Sequence, residues 1–343
     1  MKTTAAICLA FAAAAAYAGD YNMDVKVTDV SFGKHISGPN RTAAELADRV
    51  VLVEFWSITC PPCVRSLSSL SQWQQENEGK GLVVIGIHCS QATPEQIKEV
   101  LRSKEATHSI FDGGTVRGGT DFRGIPHVFL FDHTGKCIYR GSPFQVSETM
   151  KEALAAAPAA AFAGVELVKL KSLADSMKKG ALPATVLQKA QTLASGKEEE
   201  LAAEAKLVVD SLTLWGQKRV EAALAMKDSE PVLCMASFQK IAREFSGTQI
   251  GKEASKNLTE LKADTAFMNE IKAWQTLERL YALEGILKPV RGTDASAVEK
   301  FRKKNQAVLM QMIAAIRGMK KNYPDSPATA AALKIAEAYD LPR

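Results

Sequence analysis

The sequence predicts an α/β domain followed by an all-α domain. Up to about residue 150, short β-branched apolar runs alternate with helix-like stretches. Beyond it the strand signal vanishes. Ala, Leu, Lys, Glu and Gln dominate, and apolar residues recur at spacings of three and four. The length, 343 residues, is also more than one hydrophobic core usually serves.

The first eighteen residues read as a signal peptide. Lys2 gives a positive start, Ala5 to Ala16 is apolar, and Ala16-Tyr17-Ala18 places small residues where a signal peptidase reads. That apolar stretch is too short to span a bilayer. The expected product is an extracytoplasmic chain, periplasmic or secreted, soluble after cleavage near Ala18. Cys8 is lost with the leader, which leaves Cys60, Cys63, Cys89, Cys137 and Cys234. Five cysteines in such a chain are too few for a disulfide scaffold, and at least one stays unpaired.

Charge excludes one class of partner. Residues 1–150 carry 14 basic and 15 acidic side chains, and residues 151–343 carry 29 and 23, giving −1 and +6. The second value is spread over nearly two hundred residues, and no basic run is interleaved with aromatics. Nucleic-acid binding is therefore not expected.

Strands are expected at Val50–Trp56, Leu82–His88, His127–Phe131 and Cys137–Arg140. The last two are joined by the hairpin turn Asp132-His133-Thr134-Gly135. Helical periodicity covers Val64–Gln75 and Pro94–Ser103, with Thr93 as cap and Pro94 at the first helical position. Asp112–Thr120, rich in glycine, reads as a loop. The boundaries are taken as a signal peptide at 1–18, an α/β domain at 19–157, a linker at 158–164 around Pro158, and a helical domain at 165–343. Helices are expected over Val165–Lys178, Thr185–Leu193, Glu198–Ala225, Val232–Arg243, Gly251–Leu261, Phe267–Gly285, Ala295–Lys320 and Thr329–Tyr339. Two segments share a pattern of helix end, aromatic, tight turn and Ser/Thr cap, one around Phe245 to Thr248 and one around Tyr323 to Ser326. The pattern resembles the inter-repeat turn of tetratricopeptide-type arrays; an irregular bundle is the alternative.

The chemistry concentrates at Cys60-Pro61-Pro62-Cys63, directly after the strand Val50–Trp56. A helix starting here places Cys60 at its N-cap and Cys63 at its third residue, so both sulfurs lie within reach of one another. Unsatisfied N–H groups and the helix dipole favour a thiolate at Cys60. Cys60 is then the exposed nucleophile and Cys63 the buried resolving partner. Pro61 and Pro62 remove two donors, which leaves the Cys63 N–H as the main partner of the Cys60 sulfur. With no cation between the cysteines, the thiolate is only modestly stabilised and the couple is tilted toward reduction. Glu54 sits in the middle of an apolar strand, where burial raises a carboxyl pKa. It is a proton acceptor candidate for Cys63. Pro126 precedes a strand in Gly124-Ile125-Pro126-His127. A cis bond there would present the Ile125 backbone to a partner chain, whereas a trans strand-entry proline is the stronger local reading. His88 with Cys89, and His133 with Cys137, lack a compact four-ligand spacing, so neither a metal nor another cofactor is expected. Cys89, Cys137 and Cys234 read as buried thiols, with a Cys89–Cys137 bridge left open.

Glu54-Phe55-Trp56, Cys60-Pro61-Pro62-Cys63, Gly124-Ile125-Pro126 and Phe131-Asp132 with Gly135-Lys136 together resemble the thioredoxin family. The leader, the two prolines and the Asp112–Phe122 insertion resemble its exported TlpA/ResA type. The likeness covers about Asp24 to Ala157. It implies a thioredoxin-like central mixed sheet flanked by helices, a cis Pro126 against the Cys60–Cys63 pair, and Glu54 at the buried acid position. Thr59 stands where the family usually has Trp, which removes an aromatic lid beside Cys60, and His127 is also atypical. The function this implies is thiol–disulfide exchange, with Cys60, Cys63 and Glu54 catalytic. Trp56, Thr59, Pro61, Pro62, Ile125, Pro126 and His127 are expected to bind substrate, His127 by bonding the thiolate or partner backbone unless it faces solvent. Expected partners are exported client proteins with thiols or disulfides, an upstream redox partner, and a second copy of the chain through the helical domain. A scaffold role led by that domain, or an oxidase or isomerase role, is the alternative.

Overall fold

The computed structural model describes residues 21–288, 290 and 294–342; the signal-peptide reading lies outside these. The described chain divides into two compact units. The first comprises residues up to Ile36, Asn40–Ala92 and His108–Gly164, and the second comprises Ser37–Pro39, Thr93–Thr107 and Val165–Arg343.

The first unit is built on a six-stranded sheet. Its strands are Val30–Ser37 (β1), Val50–Trp56 (β2), Leu82–His88 (β3), Ser109–Val116 (β4), His127–Phe131 (β5) and Cys137–Gly141 (β6), in the order β1-β4-β3-β2-β5-β6. β2 and β3 are parallel, as are β3 and β4, while β2–β5 and β5–β6 are antiparallel. β2 and β3 are buried along their whole lengths, which explains their continuous apolar runs. Alternation in β2 divides the core. Val51, Val53 and Phe55 join Ile85, Ile87, Phe129 and Phe131 on one face. Val50 and Leu52 join Leu70 and Met150 on the other, under the helices Pro61–Asn77 (α1) and Ser147–Ala156 (α3). Glu54 follows Leu52 in that second row.

Two strands were not expected. β4 includes Gly113 and Gly114, both at positive φ, so its sequence carries turn chemistry inside a strand. β1 approaches so closely that a Cβ at Gly33 would lie 2.1 Å from the Asp112 carbonyl oxygen. The stretch expected to be a linker contains a short helical turn, Ala160–Phe162, that is buried.

The second unit is helical. The helix Pro94–Ser103 (α2) groups with it, and Arg102 stacks over Trp274 at 4.0 Å. The others are Lys171–Asp175 (α4), Pro183–Ala194 (α5), Glu199–Ala225 (α6), Pro231–Glu244 (α7), Gln249–Ala263 (α8), Thr265–Gly285 (α9), Ala295–Asn322 (α10) and Pro327–Ala338 (α11). α6 packs on α7 and α8, α7 on α8 and α9, and α9 on α10 and α11. That ordering is the one stacked helical hairpins produce. The helix expected over Val165–Lys178 is a correction: it starts only at Lys171. The N–H groups of Val168, Lys169 and Leu170 donate to the Glu204 carboxylate at 2.9–3.2 Å, so a distant acceptor replaces helical bonds.

Both look-alike segments are turns of the expected kind. Phe245 follows α7 and is fully buried, and the Thr248 hydroxyl caps α8 by accepting from Gly251 N–H. Tyr323 follows α10, and the Ser326 hydroxyl caps α11. The first turn depends on Gly251, where a Cβ would lie 2.1 Å from the Phe245 carbonyl oxygen. Gly251→Ala is expected to cost about 1–3 kcal/mol, read as a lower urea midpoint of the full chain.

Candidate active site

β2 ends at Trp56, and the turn Ser57–Thr59 leads into α1. Cys60 is the N-cap of α1, with Pro61 and Pro62 in its first turn. Cys63 N–H donates to Cys60 Sγ at 3.3 Å. The two cysteines form a disulfide, with Cα atoms 5.2 Å apart. Cys60 is partly exposed and Cys63 is buried. The Ile125–Pro126 bond is cis, and the Ile125 carbonyl oxygen lies 3.5 Å from Cys60 Sγ. Residues 65 positions apart in sequence thus meet at the exposed sulfur.

Glu54 is fully buried, and burial pushes its carboxyl up to about 8, against a smaller opposing effect of the Ser66 hydroxyl. Ser66 Oγ lies 2.6 Å from Glu54 Oε1 and 2.7 Å from the Cys63 carbonyl oxygen. A hydroxyl has one hydrogen to give. Both short contacts are satisfied together when Oε1 carries a proton and donates it to Ser66, which in turn donates to Cys63 O. The geometry therefore favours the protonated acid, in agreement with its burial, and ties it to the first turn of α1. Ser66 was not singled out from the sequence, although its i+3 spacing from Cys63 puts it on the same helix face.

A second polar chain holds the turn before Cys60. Ser57 Oγ lies 2.9 Å from Thr59 Oγ1 and 2.7 Å from Ser90 Oγ, and it accepts from Thr59 N–H at 3.1 Å. Ser90 Oγ lies 3.1 Å from His88 Nε2, and His88 Nδ1 lies 3.0 Å from Asp112 Oδ1. Exposed Thr59 is thereby anchored to buried His88.

Two residues expected at the substrate surface lie inside. Trp56 is fully buried and meets His88 edge-on at 5.2 Å, because β2 is covered on both faces. His127 is 3% exposed and stacks on Phe122 at 4.5 Å, with Tyr21 and Phe129 at its edges. The solvent-facing alternative for His127 is thus incorrect. Its alternation in β5 puts it with Phe55 and Phe129, on the face away from Glu54. Burial pushes the imidazole down to about 4, with the Arg140 charge acting in the same direction. Buried Arg140 anchors the loop before Pro126: its guanidinium donates to Gly119 O at 2.9 Å and to Asp121 Oδ1 at 2.5 Å, and lies over Phe129. Cys89, Cys137 and Cys234 are free thiols, so the bridge left open between Cys89 and Cys137 is not formed; Cys137 and Cys234 are buried as expected, whereas Cys89 is exposed just past the end of β3.

The fold of the first unit is thioredoxin-like, and its disulfide, cis-proline and buried acid make the site that of a thiol–disulfide oxidoreductase. Residues 25–156 match the Redoxin family model. Among solved structures, the chain is similar to the thioredoxin domain of a thiol-disulfide oxidoreductase from Bacteroides vulgatus, with 18% identity, 36% of this chain and 93% of that one covered, and a TM-score of 0.33. A thioredoxin-family thiol:disulfide interchange protein from Chlorobium tepidum gives 20%, 36%, 96% and 0.30. A secreted disulfide oxidoreductase from Mycobacterium tuberculosis gives 16%, 37%, 95% and 0.31. No curated relative matches the chain.

The buried acid makes a signed prediction. Between pH 4.5 and about 8 the folded chain holds a proton on Glu54 that the unfolded chain releases. Its contribution to stability therefore falls as pH rises through that window. Glu54→Gln removes the fall, and should gain on wild type by up to about 1.4 kcal/mol per pH unit there. Urea unfolding of the oxidised proteins across pH 5–8.5 measures it.

Proposed function

We propose that the protein is an extracytoplasmic thiol–disulfide oxidoreductase that reduces disulfides in exported client proteins. The observation that carries this is the pairing of a part-exposed N-cap cysteine with a buried partner whose backbone is joined through Ser66 to a buried acid. In the reduced protein, the Cys60 thiolate attacks a client disulfide. One client sulfur bonds to Cys60 Sγ and the other leaves as a thiolate. Glu54, as carboxylate, takes the Cys63 proton. The Cys63 thiolate then attacks Cys60 Sγ, releases the second client sulfur and closes the Cys60–Cys63 disulfide. An upstream dithiol partner restores the reduced form.

The reducing direction rests on the same turn. Pro61 and Pro62 give no N–H, and among the described residues Cys63 N–H is the backbone donor to the Cys60 sulfur. A thiolate with few donors stabilises the dithiol form less, which makes the couple more reducing. The extracytoplasmic setting rests on the leader pattern in residues 1–18. Exposed Thr59, Pro61 and the Ile125 backbone offer the client-facing surface beside Cys60.

Cys60→Ser is expected to abolish insulin reduction, and Cys63→Ser to hold clients as mixed disulfides on Cys60. Full activity in Cys60→Ser overturns the assignment. In a glutathione redox buffer, the wild-type disulfide should persist until reduced glutathione is in large excess. Reduction at low ratios would instead mark an oxidant.

A further inference from the structure

The lip of chain beside the exposed sulfur, Thr59 to Pro62, has no backbone N–H left to offer a client. Pro61 and Pro62 have none. Cys60 N–H donates to Ser57 O at 3.2 Å, and Thr59 N–H donates to Ser57 Oγ at 3.1 Å. That leaves the side chain of Thr59, which is exposed and whose hydroxyl lies 2.9 Å from Ser57 Oγ. Which of these two oxygens donates is settled further inside, along the hydroxyl chain that ends at His88 and Asp112.

His88 and Asp112 are register partners across β3 and β4, which brings His88 Nδ1 to 3.0 Å from Asp112 Oδ1. A neutral imidazole has one ring hydrogen, and a carboxylate can only accept. The hydrogen is therefore on Nδ1, and Nε2 is an acceptor. Ser90 Oγ, 3.1 Å from Nε2, gives its one hydrogen to the ring. It then accepts from Ser57 Oγ at 2.7 Å, and Ser57 in turn accepts from Thr59 Oγ1. Ser57 Oγ thus receives the Thr59 hydroxyl and the Thr59 N–H and donates to Ser90, which is the full capacity of a hydroxyl. Every bond from Thr59 to Asp112 runs inward.

We propose that this chain makes the Thr59 hydroxyl an acceptor only, and that Thr59 is a specificity-determining residue that takes a client N–H beside the disulfide cysteine. Ser57, Ser90, His88 and Asp112 are positioning residues that act through it. The Thr59 hydrogen is directed inward, so the exposed side of the hydroxyl presents a lone pair. A client carbonyl finds no donor on this lip, whereas a client N–H finds an acceptor. The substrate class is a disulfide whose flanking residues bring free backbone N–H groups. Proline next to the client cysteine has no N–H and is disfavoured.

The inference rests on thiol–disulfide exchange at Cys60, and its test separates the two. The probe is a short synthetic peptide whose single cysteine carries a glutathione disulfide. Ester bonds replace the amides at the cysteine and at its neighbours, one at a time, so that each deletes one N–H. Rate constants are measured with the reduced full chain at pH 8. At one position the ester should react about fivefold more slowly than the amide with wild type. That difference should vanish in Thr59→Val and return in Thr59→Ser. In Ser90→Ala the Ser57 hydroxyl loses its inward acceptor and turns to Thr59, so the difference should shrink there too, and Ser90→Thr should restore it. Equal rates for amide and ester at every position in wild type overturn the proposal, as does a difference that Thr59→Val or Ser90→Ala leaves intact. Failure to reduce any of the peptides overturns the exchange reading itself.

Discussion

The structure of the first unit is arranged around a carboxyl group buried in its central strand. Glu54 occupies a position where an apolar side chain would be cheaper, since burying a charge without a partner costs several kcal/mol. The acid survives there by holding its proton. That choice needs an acceptor, supplied by Ser66, and Ser66 in turn bonds the Cys63 carbonyl. The start of α1 is thereby fixed to the sheet by a chain that includes a titratable proton. Cys63 supplies the carbonyl that ends that chain, and Cys60 lies one helical turn away, part-exposed.

The exposed sulfur is governed by a different balance. A helix start offers donors and a favourable dipole, and the two prolines withdraw part of that offer. Among the described residues, what remains is the N–H of Cys63. The turn that precedes Cys60 is held by hydroxyls running from Thr59 through Ser57 and Ser90 to His88 and Asp112. The loop that faces it is held by the buried guanidinium of Arg140. Cys60, Cys63 and Glu54 thus sit on rigid elements, which the proposed exchange chemistry requires, because the attacking and leaving sulfurs must align.

Much of this was legible in the residues. β2, β3 and β5 were readable because they are buried on both faces and so carry unbroken apolar runs. The caps at Thr93, Thr248 and Ser326, and the cysteine pair at a helix start, follow from local chemistry. Glu54 was conspicuous as a charge in an apolar strand. β1 and β4 were not readable, because Gly33, Gly113 and Gly114 are there for close approach and unusual φ, and glycine in sequence signals a turn. The buried positions of Trp56 and His127 were also missed: family likeness places them near the substrate, whereas strand alternation decides which way they point. His108 and Ser71 meet across 37 positions, and no local pattern announces such a pair.

The central claim is that the buried acid moves the proton of the resolving cysteine. Stopped-flow measurement of mixed-disulfide resolution, from pH 6 to 9.5 in wild type and Glu54→Gln, tests it directly. In wild type the rate should rise as Glu54 ionises and level off above about 8. In the variant it should be slower, without that inflection, and follow only the ionisation of the thiol. Superimposable profiles for the two proteins would contradict the claim.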